Sequence, residues 1–142
     1  MTGFLLDTNV PSELTRPESD ARVEKWLDEA DDEQLFLSVI SLAEILRGIV
    51  VLPEGRRRRQ LQRWLDGTLR PWFRGRILPV TEGIAERWAI PAGQRQLQGR
   101  PLRMADGLIA ATALQHDLTL VTRNVRDFVG LGVSVVNPWE SA

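Results

Sequence analysis

Gly3-Phe4-Leu5-Leu6-Asp7 is a short apolar run closed by an acid, and Asn9-Val10-Pro11-Ser12-Glu13-Leu14 follows almost at once. The first piece reads as a buried strand. The second reads as a helix with Pro11 in its first turn, where a missing N–H leaves nothing unpaired. A strand passing directly into a helix is the unit from which parallel sheets are built, and the alternation recurs outward along the chain. Leu35 to Val39 is a second strand candidate, followed by a helix over residues 42–51 with Ser41 as its cap and Glu44 at the capping-box position. Residues 76–80, 119–122 and 133–136 read as further short strands. Between them, apolar residues at helical spacing run over 18–30 (Val23, Trp26, Leu27), over 56–73 (Leu61, Trp64, Leu65, Leu69, interrupted at Pro71), and from Thr81 to a kink at Pro91. An apolar helix begins at Met104 with Asp106 in its first turn, and Asn124 to Phe128 is a short helical turn. The pattern predicts a single α/β domain over residues 1–142. Its centre is a mainly parallel sheet of about five short strands flanked by helices.

Composition narrows the chemistry by subtraction. The 142 residues are 43% hydrophobic and 26% charged, the balance of a soluble globular protein. Cysteine is absent, which removes disulfides, thiolate metal sites and cysteine nucleophiles. One histidine, His116, cannot build a multi-histidine metal site. Carboxylates are what remain. The net charge of −1 conceals a segregation: residues 1–53 carry four basic and eleven acidic side chains, residues 54–76 eight and two, and residues 77–142 six of each. An acidic site and a basic surface on one small domain are expected. No apolar run approaches the length of a membrane span, and an acid at position 7 without a basic leader does not read as a signal peptide, so the expected location is the cytoplasm.

In an open parallel sheet, the carboxyl ends of the strands collect residues from distant segments. Asp7 directly follows the first strand, Glu44 lies near the start of the helix after the second, Asp106 opens the helix that leads into the fourth, and Asn124 lies just beyond the fourth with Asp127 close behind. Singly, each acid has a structural reading: Asp7 as a turn or cap residue, Glu44 and Asp106 as first-turn acids favoured by the helix dipole. Asp106 suits it least, because it leads into Leu108-Ile109-Ala110-Ala111-Thr112-Ala113-Leu114 with almost no polar relief. As a set, converging carboxylates raise one another's pKa unless a cation lies between them. Hard oxygen donors suit Mg²⁺ or Mn²⁺, and such an ion activates water for phosphodiester hydrolysis without a covalent intermediate.

Leu5-Leu6-Asp7-Thr8-Asn9-Val10, Ser38-Val39-Ile40-Ser41-Leu42-Ala43-Glu44-Ile45, Asp106-Gly107-Leu108-Ile109-Ala110-Ala111-Thr112-Ala113 and Val121-Thr122-Arg123-Asn124-Val125-Arg126-Asp127-Phe128, with the ending Val136-Asn137-Pro138-Trp139, fall in order across nearly the whole chain. Together they resemble the PIN-domain ribonucleases, and within them the VapC/FitB-like toxins of bacterial type II toxin–antitoxin pairs. The resemblance implies a Mg²⁺- or Mn²⁺-dependent endoribonuclease in which Asp7, Glu44 and Asp106 hold the metal and a fourth catalytic position falls on Asn124. That position is often Asp in the family; a neutral Asn leaves one metal ion or two open, with Asp127 as a candidate additional acid. Thr8 and Asn9 would orient Asp7. The implied partners are an RNA substrate, with transfer RNA the expected class, a small VapB/FitA-like antitoxin, and a second copy of the chain in a homodimer. An antitoxin Arg or Lys laid against Asp7, Glu44 and Asp106 is the expected route of neutralisation.

Arg56, Arg57, Arg58 and Arg59, followed by Arg63, Arg70, Arg74 and Arg76, serve equally as an RNA-backbone track or as a solvated helix face. Arg100, Arg103, Arg123 and Arg126 flank the predicted cleft. Trp26, Trp64 and Trp88 fall on apolar helical stripes and predict core packing over base stacking, and the helices bearing Trp26, Leu46 and Trp64 offer hydrophobic surface for a dimer or an antitoxin. His116 closes the Asp106 helix near its negative end. Two rival folds fail on named residues. A dehalogenase-type phosphatase needs an acid where Asn9 stands, and a receiver domain needs a late lysine where the sole lysine is Lys25. The remaining alternative, kept open by Asn124, is a catalytically weak or inactive PIN-fold module that binds RNA or a partner.

Overall fold

Alternation within very short strands decides how the layers assemble. In the computed structural model, which describes residues 3–140, β1 (Phe4–Leu6), β2 (Leu35–Ser38), β3 (Ile77–Leu78), β4 (Thr119–Val121) and β5 (Val135–Val136) form one sheet in the order β3-β2-β1-β4-β5. Every neighbouring pair is parallel. Successive side chains point to opposite faces of a strand. Leu6, Leu35, Leu37 and Val121 therefore enter one core, while Leu5 and Leu120 enter another. A parallel sheet needs both faces covered. The first is covered from α1 (Asn9–Glu13), α2 (Ala21–Glu29) and α3 (Val39–Val50) through Val10, Val23, Leu27, Ile45 and Ile49, with Leu61 and Trp64 of α4 (Arg56–Trp64) packed against them. The chain continues from α4 through a π-helical turn over Leu65–Leu69 into α5 (Arg70–Trp72) and on to α6 (Glu82–Leu97) and α7 (Met104–Gln115). The second face is covered by α7, through Ile109, Ala110 and Ala113, with α6 packed on its outside.

Three local expectations change. The cap of α3 is Ser38, whose hydroxyl accepts from the Ile40 N–H at 3.0 Å, so the helix starts three residues earlier than Leu42. Ser41 is consequently a buried residue inside the helix, and Glu44 stands in its second turn rather than in a capping box. The interruption expected at Pro71 takes the form of the π-helical turn, with Pro71 in the first turn of α5, where its missing N–H matters least. Pro91, in contrast, lies inside α6, which runs unbroken from Glu82 to Leu97.

The order of the strands positions the site. From β1 the chain steps to β2 and β3 on one side, then crosses to β4 and β5 on the other, so the reversal falls between β1 and β4. Ligands of open α/β sheets bind outside the carboxyl ends of such strands. Leu6 is in register with Val121, which sets Asp7 beside Thr122 at that edge. Among the described residues, no helix is long and apolar enough to cross a membrane.

Candidate active site

Asp7 leaves β1 while its backbone still belongs to the sheet, with its N–H donating to the Val121 carbonyl at 2.8 Å. Its buried carboxylate accepts from three donors: the Thr122 hydroxyl at 2.7 Å and the Asn9 amide at 3.3 Å on Oδ2, and the Thr8 N–H at 2.8 Å on Oδ1. Burial pushes its pKa above the ordinary value, Glu44 adds to the rise, and the hydrogen bonds from Thr122 and Thr8 oppose it. Asn9 also reaches Thr122 Oγ1 at 3.4 Å and accepts from the Arg123 N–H at 3.3 Å. Thr8 precedes α1 without capping it, its hydroxyl being turned to Glu44, and the Asp7 carboxylate takes the Thr8 N–H at the helix start.

Glu44 arrives from α3 and faces the same edge. One carboxylate oxygen accepts from the Thr8 hydroxyl at 2.7 Å, which also lies 3.1 Å from the Ser41 hydroxyl. The other forms an ion pair with Arg103, the residue immediately before α7. Asp106 follows in the first turn of α7 and is half-buried. Burial pushes its pKa up to about 6, with Asp7, Asp127 and Glu44 adding to the rise and Arg103 opposing it. Asn124 donates its backbone N–H to Thr122 Oγ1 at 3.0 Å, which ties it to the Asp7 network, but its side chain is on an exposed turn. Asp127 lies on the same turn and helps to line a shallow hollow with Asn124, Arg126 and Asn137.

Asp7, Glu44 and Asp106 thus share one electrostatic neighbourhood, although among the described residues no three acids stand close enough to form a ready-made metal cage. In chemistry the donors suit a hard divalent cation, being all oxygen and mutually repelling. Thr8 and Arg103 hold the two oxygens of Glu44, so a cation drawing on Glu44 competes with a guanidinium.

Two contributors, Thr122 and Gly107, were hidden from the sequence pattern, and a third, Arg103, was expected near the cleft without a partner. Thr122 is legible only once the register of β1 on β4 is known, because it then mirrors Asp7. Arg103, one of four arginines expected around the cleft, is the one that pairs with Glu44. Gly107 is required for close packing: a Cβ there would lie 2.5 Å from Trp88 Cδ1 and 2.8 Å from Leu102 Cδ2, displacing the turn that carries Asp106. Trp26 and Trp64 pack against the main core as expected, and the Trp88 indole packs on Gly107. Of the basic run, Arg57 donates to the Thr15 carbonyl at 3.0 Å and Arg58 to that of Leu52 at 3.4 Å, while Arg56 and Arg59 are exposed. A groove of about 370 Å³, lined by Thr8 and Glu44 together with Ile45, Ile49, Arg57 and Trp64, runs between the basic helix and Glu44.

An all-parallel five-stranded sheet with acids gathered at its switch point defines a class, and the sequence family agrees: residues 4–131 match the PIN domain, and the chain belongs to the PIN-domain family. Its relatives include Toxin FitB of Neisseria gonorrhoeae, 42% identical over 96% of this chain and 98% of that protein. VapC ribonuclease Y4jK of Sinorhizobium fredii is 39% identical over 98% of this chain and 99% of that protein. Among solved structures, FitAcB from Neisseria gonorrhoeae superposes with a TM-score of 0.89 at 41% identity, covering 97% of this chain and 99% of that one.

Proposed function

We propose that the protein is a Mg²⁺- or Mn²⁺-dependent endoribonuclease and the toxin of a toxin–antitoxin pair, acting in the cytoplasm as a homodimer. The observation that carries this reading is the linkage of Asp7 and Glu44 through Thr8, at the same sheet edge where Asp106 senses both acids. Asp7, Glu44 and Asp106 would hold the divalent ion, which supplies a water of lowered pKa and positive charge opposite the phosphoryl group. Thr122, Asn9 and the Thr8 N–H keep the Asp7 carboxylate in one orientation. Asn124 offers a neutral amide near that edge, and Asp127 a further acid whose charge reaches Asp106. Transfer RNA is the substrate class the family resemblance favours.

The relatives named as a toxin and as a ribonuclease support both halves of the proposal, and the FitAcB complex supports a small antitoxin of the FitA or VapB kind. The apolar groove beside Glu44 suits an antitoxin segment that brings an Arg or Lys to the acids. Two observations favour a second reading, a PIN-fold module that binds without turnover: Glu44 is engaged by Arg103, and position 124 is a neutral Asn.

The deciding experiment incubates the protein with a structured RNA pool in Mg²⁺ or Mn²⁺, in EDTA, and as the Asp7→Asn variant. Cleavage restricted to the metal-supplied parent establishes the nuclease; cleavage that persists in EDTA removes the metal mechanism, and none under any condition leaves the binding module. Growth arrest on expression, relieved by co-expressing the adjacent small open reading frame, tests the toxin half.

A further inference from the structure

Arg103 immediately precedes α7, three residues ahead of Asp106, and its Nη2 donates to Glu44 Oε2 while Thr8 donates to the other oxygen of the same carboxylate. Glu44 is thereby engaged at both oxygens, but the guanidinium is not satisfied. An arginine carries five N–H donors in a planar fork, and among the described residues Glu44 is the one acceptor that Arg103 reaches. The Arg103 side chain is 62% exposed against 20% for Glu44, so the fork is pinned at one corner over the rim of the acidic site. Its positive charge also acts on both Asp7 and Asp106, opposing the rise in pKa of each. A phosphodiester approaching these acids meets negative charge, and a guanidinium edge matches two phosphate oxygens in a way that a point charge does not.

We propose that Arg103 is the phosphate anchor of the site: Glu44 pins one nitrogen of its guanidinium, and the remaining donors grip the RNA backbone beside Asp7 and Asp106. The proposal rests on the nuclease reading above. It assigns to Arg103 a substrate-binding role separate from holding the metal.

The test measures binding of a fluorescently labelled single-stranded RNA of mixed sequence to EDTA-treated protein across a salt series. Arg103→Gln is expected to weaken binding by about tenfold and to reduce the slope of log affinity against log salt by about 0.7, because one phosphate fewer is neutralised. Arg103→Lys is expected to keep the slope and recover part of the affinity, because it keeps the charge without the fork. Arg87→Gln is the control; Arg87 bonds Gln115 at the opposite end of α7, and its loss removes the same charge far from Asp106. Equal affinity and slope for Arg103→Gln and the parent, or equal losses for Arg103→Gln and Arg87→Gln, would overturn the proposal and leave Arg103 as a counter-charge to Glu44. If the parent neither binds nor cleaves RNA, the nuclease reading fails and this inference with it; if the parent does both and Arg103→Gln is unchanged, this inference alone fails.

Discussion

Thr8 holds two acids at once: its backbone N–H donates to Asp7 at 2.8 Å and its hydroxyl to Glu44 at 2.7 Å. One residue thus couples the end of β1 to the second turn of α3, 36 positions apart in sequence.

Thr8→Val keeps the shape and the N–H but deletes the hydroxyl. Cleavage is expected to fall by about ten- to a hundredfold, as for other partners that orient a metal ligand. Thr8→Ser restores the donor and should restore most of the rate. Circular dichroism and melting of both variants check that the fold survives. Equal rates for Thr8→Val and the parent would show that Glu44 needs no orienting hydroxyl.

Thr122→Val removes the hydroxyl that lowers the pKa of buried Asp7. Asp7 is already raised above its unfolded value, so ionising it costs stability as pH rises, and the variant increases that cost. A loss of about 1–3 kcal/mol is expected near neutrality. It should shrink in acid, where the carboxyl is protonated in both states. Denaturant unfolding at several pH values measures it.

Asp106→Asn should act in the opposite sense. The folded carboxyl, at about 6 against an ordinary 3.8, binds more protons than the unfolded one between those values, so the parent loses stability as pH rises through this window. Above it the cost is constant, and below it both states are protonated. In EDTA the variant is therefore expected to melt higher than the parent at about pH 8 and to match it only below about pH 3, where both states of the parent are protonated. The same substitution should abolish cleavage. A variant less stable at the higher pH would assign the carboxylate a structural role.

Replacing Arg56, Arg57, Arg58 and Arg59 together with Gln removes the most concentrated positive charge in the chain. RNA binding to metal-free protein is expected to weaken, with a salt slope shallower by up to about 0.7 for each phosphate no longer neutralised. Cleavage at saturating RNA should recover, because the acids are untouched. An unchanged slope would return these arginines to the solvated surface.

The strand–helix alternation and the parallel sheet could be read from the chain, because burial on both faces of a parallel sheet writes itself as short apolar runs. Each strand's closing residue then marks the end where ligands gather. The start of α3 could not be read this way. Ser41 is the cap read along the chain, but Ser38 takes that place because β2 ends there and its hydroxyl accepts the Ile40 N–H. Thr122 stayed silent for a similar reason: a threonine after a strand says nothing until the Leu6–Val121 register sets it beside Asp7. Arg103 and Gly107 are likewise ordinary loop and helix residues in sequence. Only the packing of α7 against Trp88 and the approach of α3 turn them into a counter-ion and a point of close approach. Residue types and strand ends are local properties and legible along a chain; register, and which donor reaches which carboxylate, are decided by side-chain packing between segments far apart in sequence.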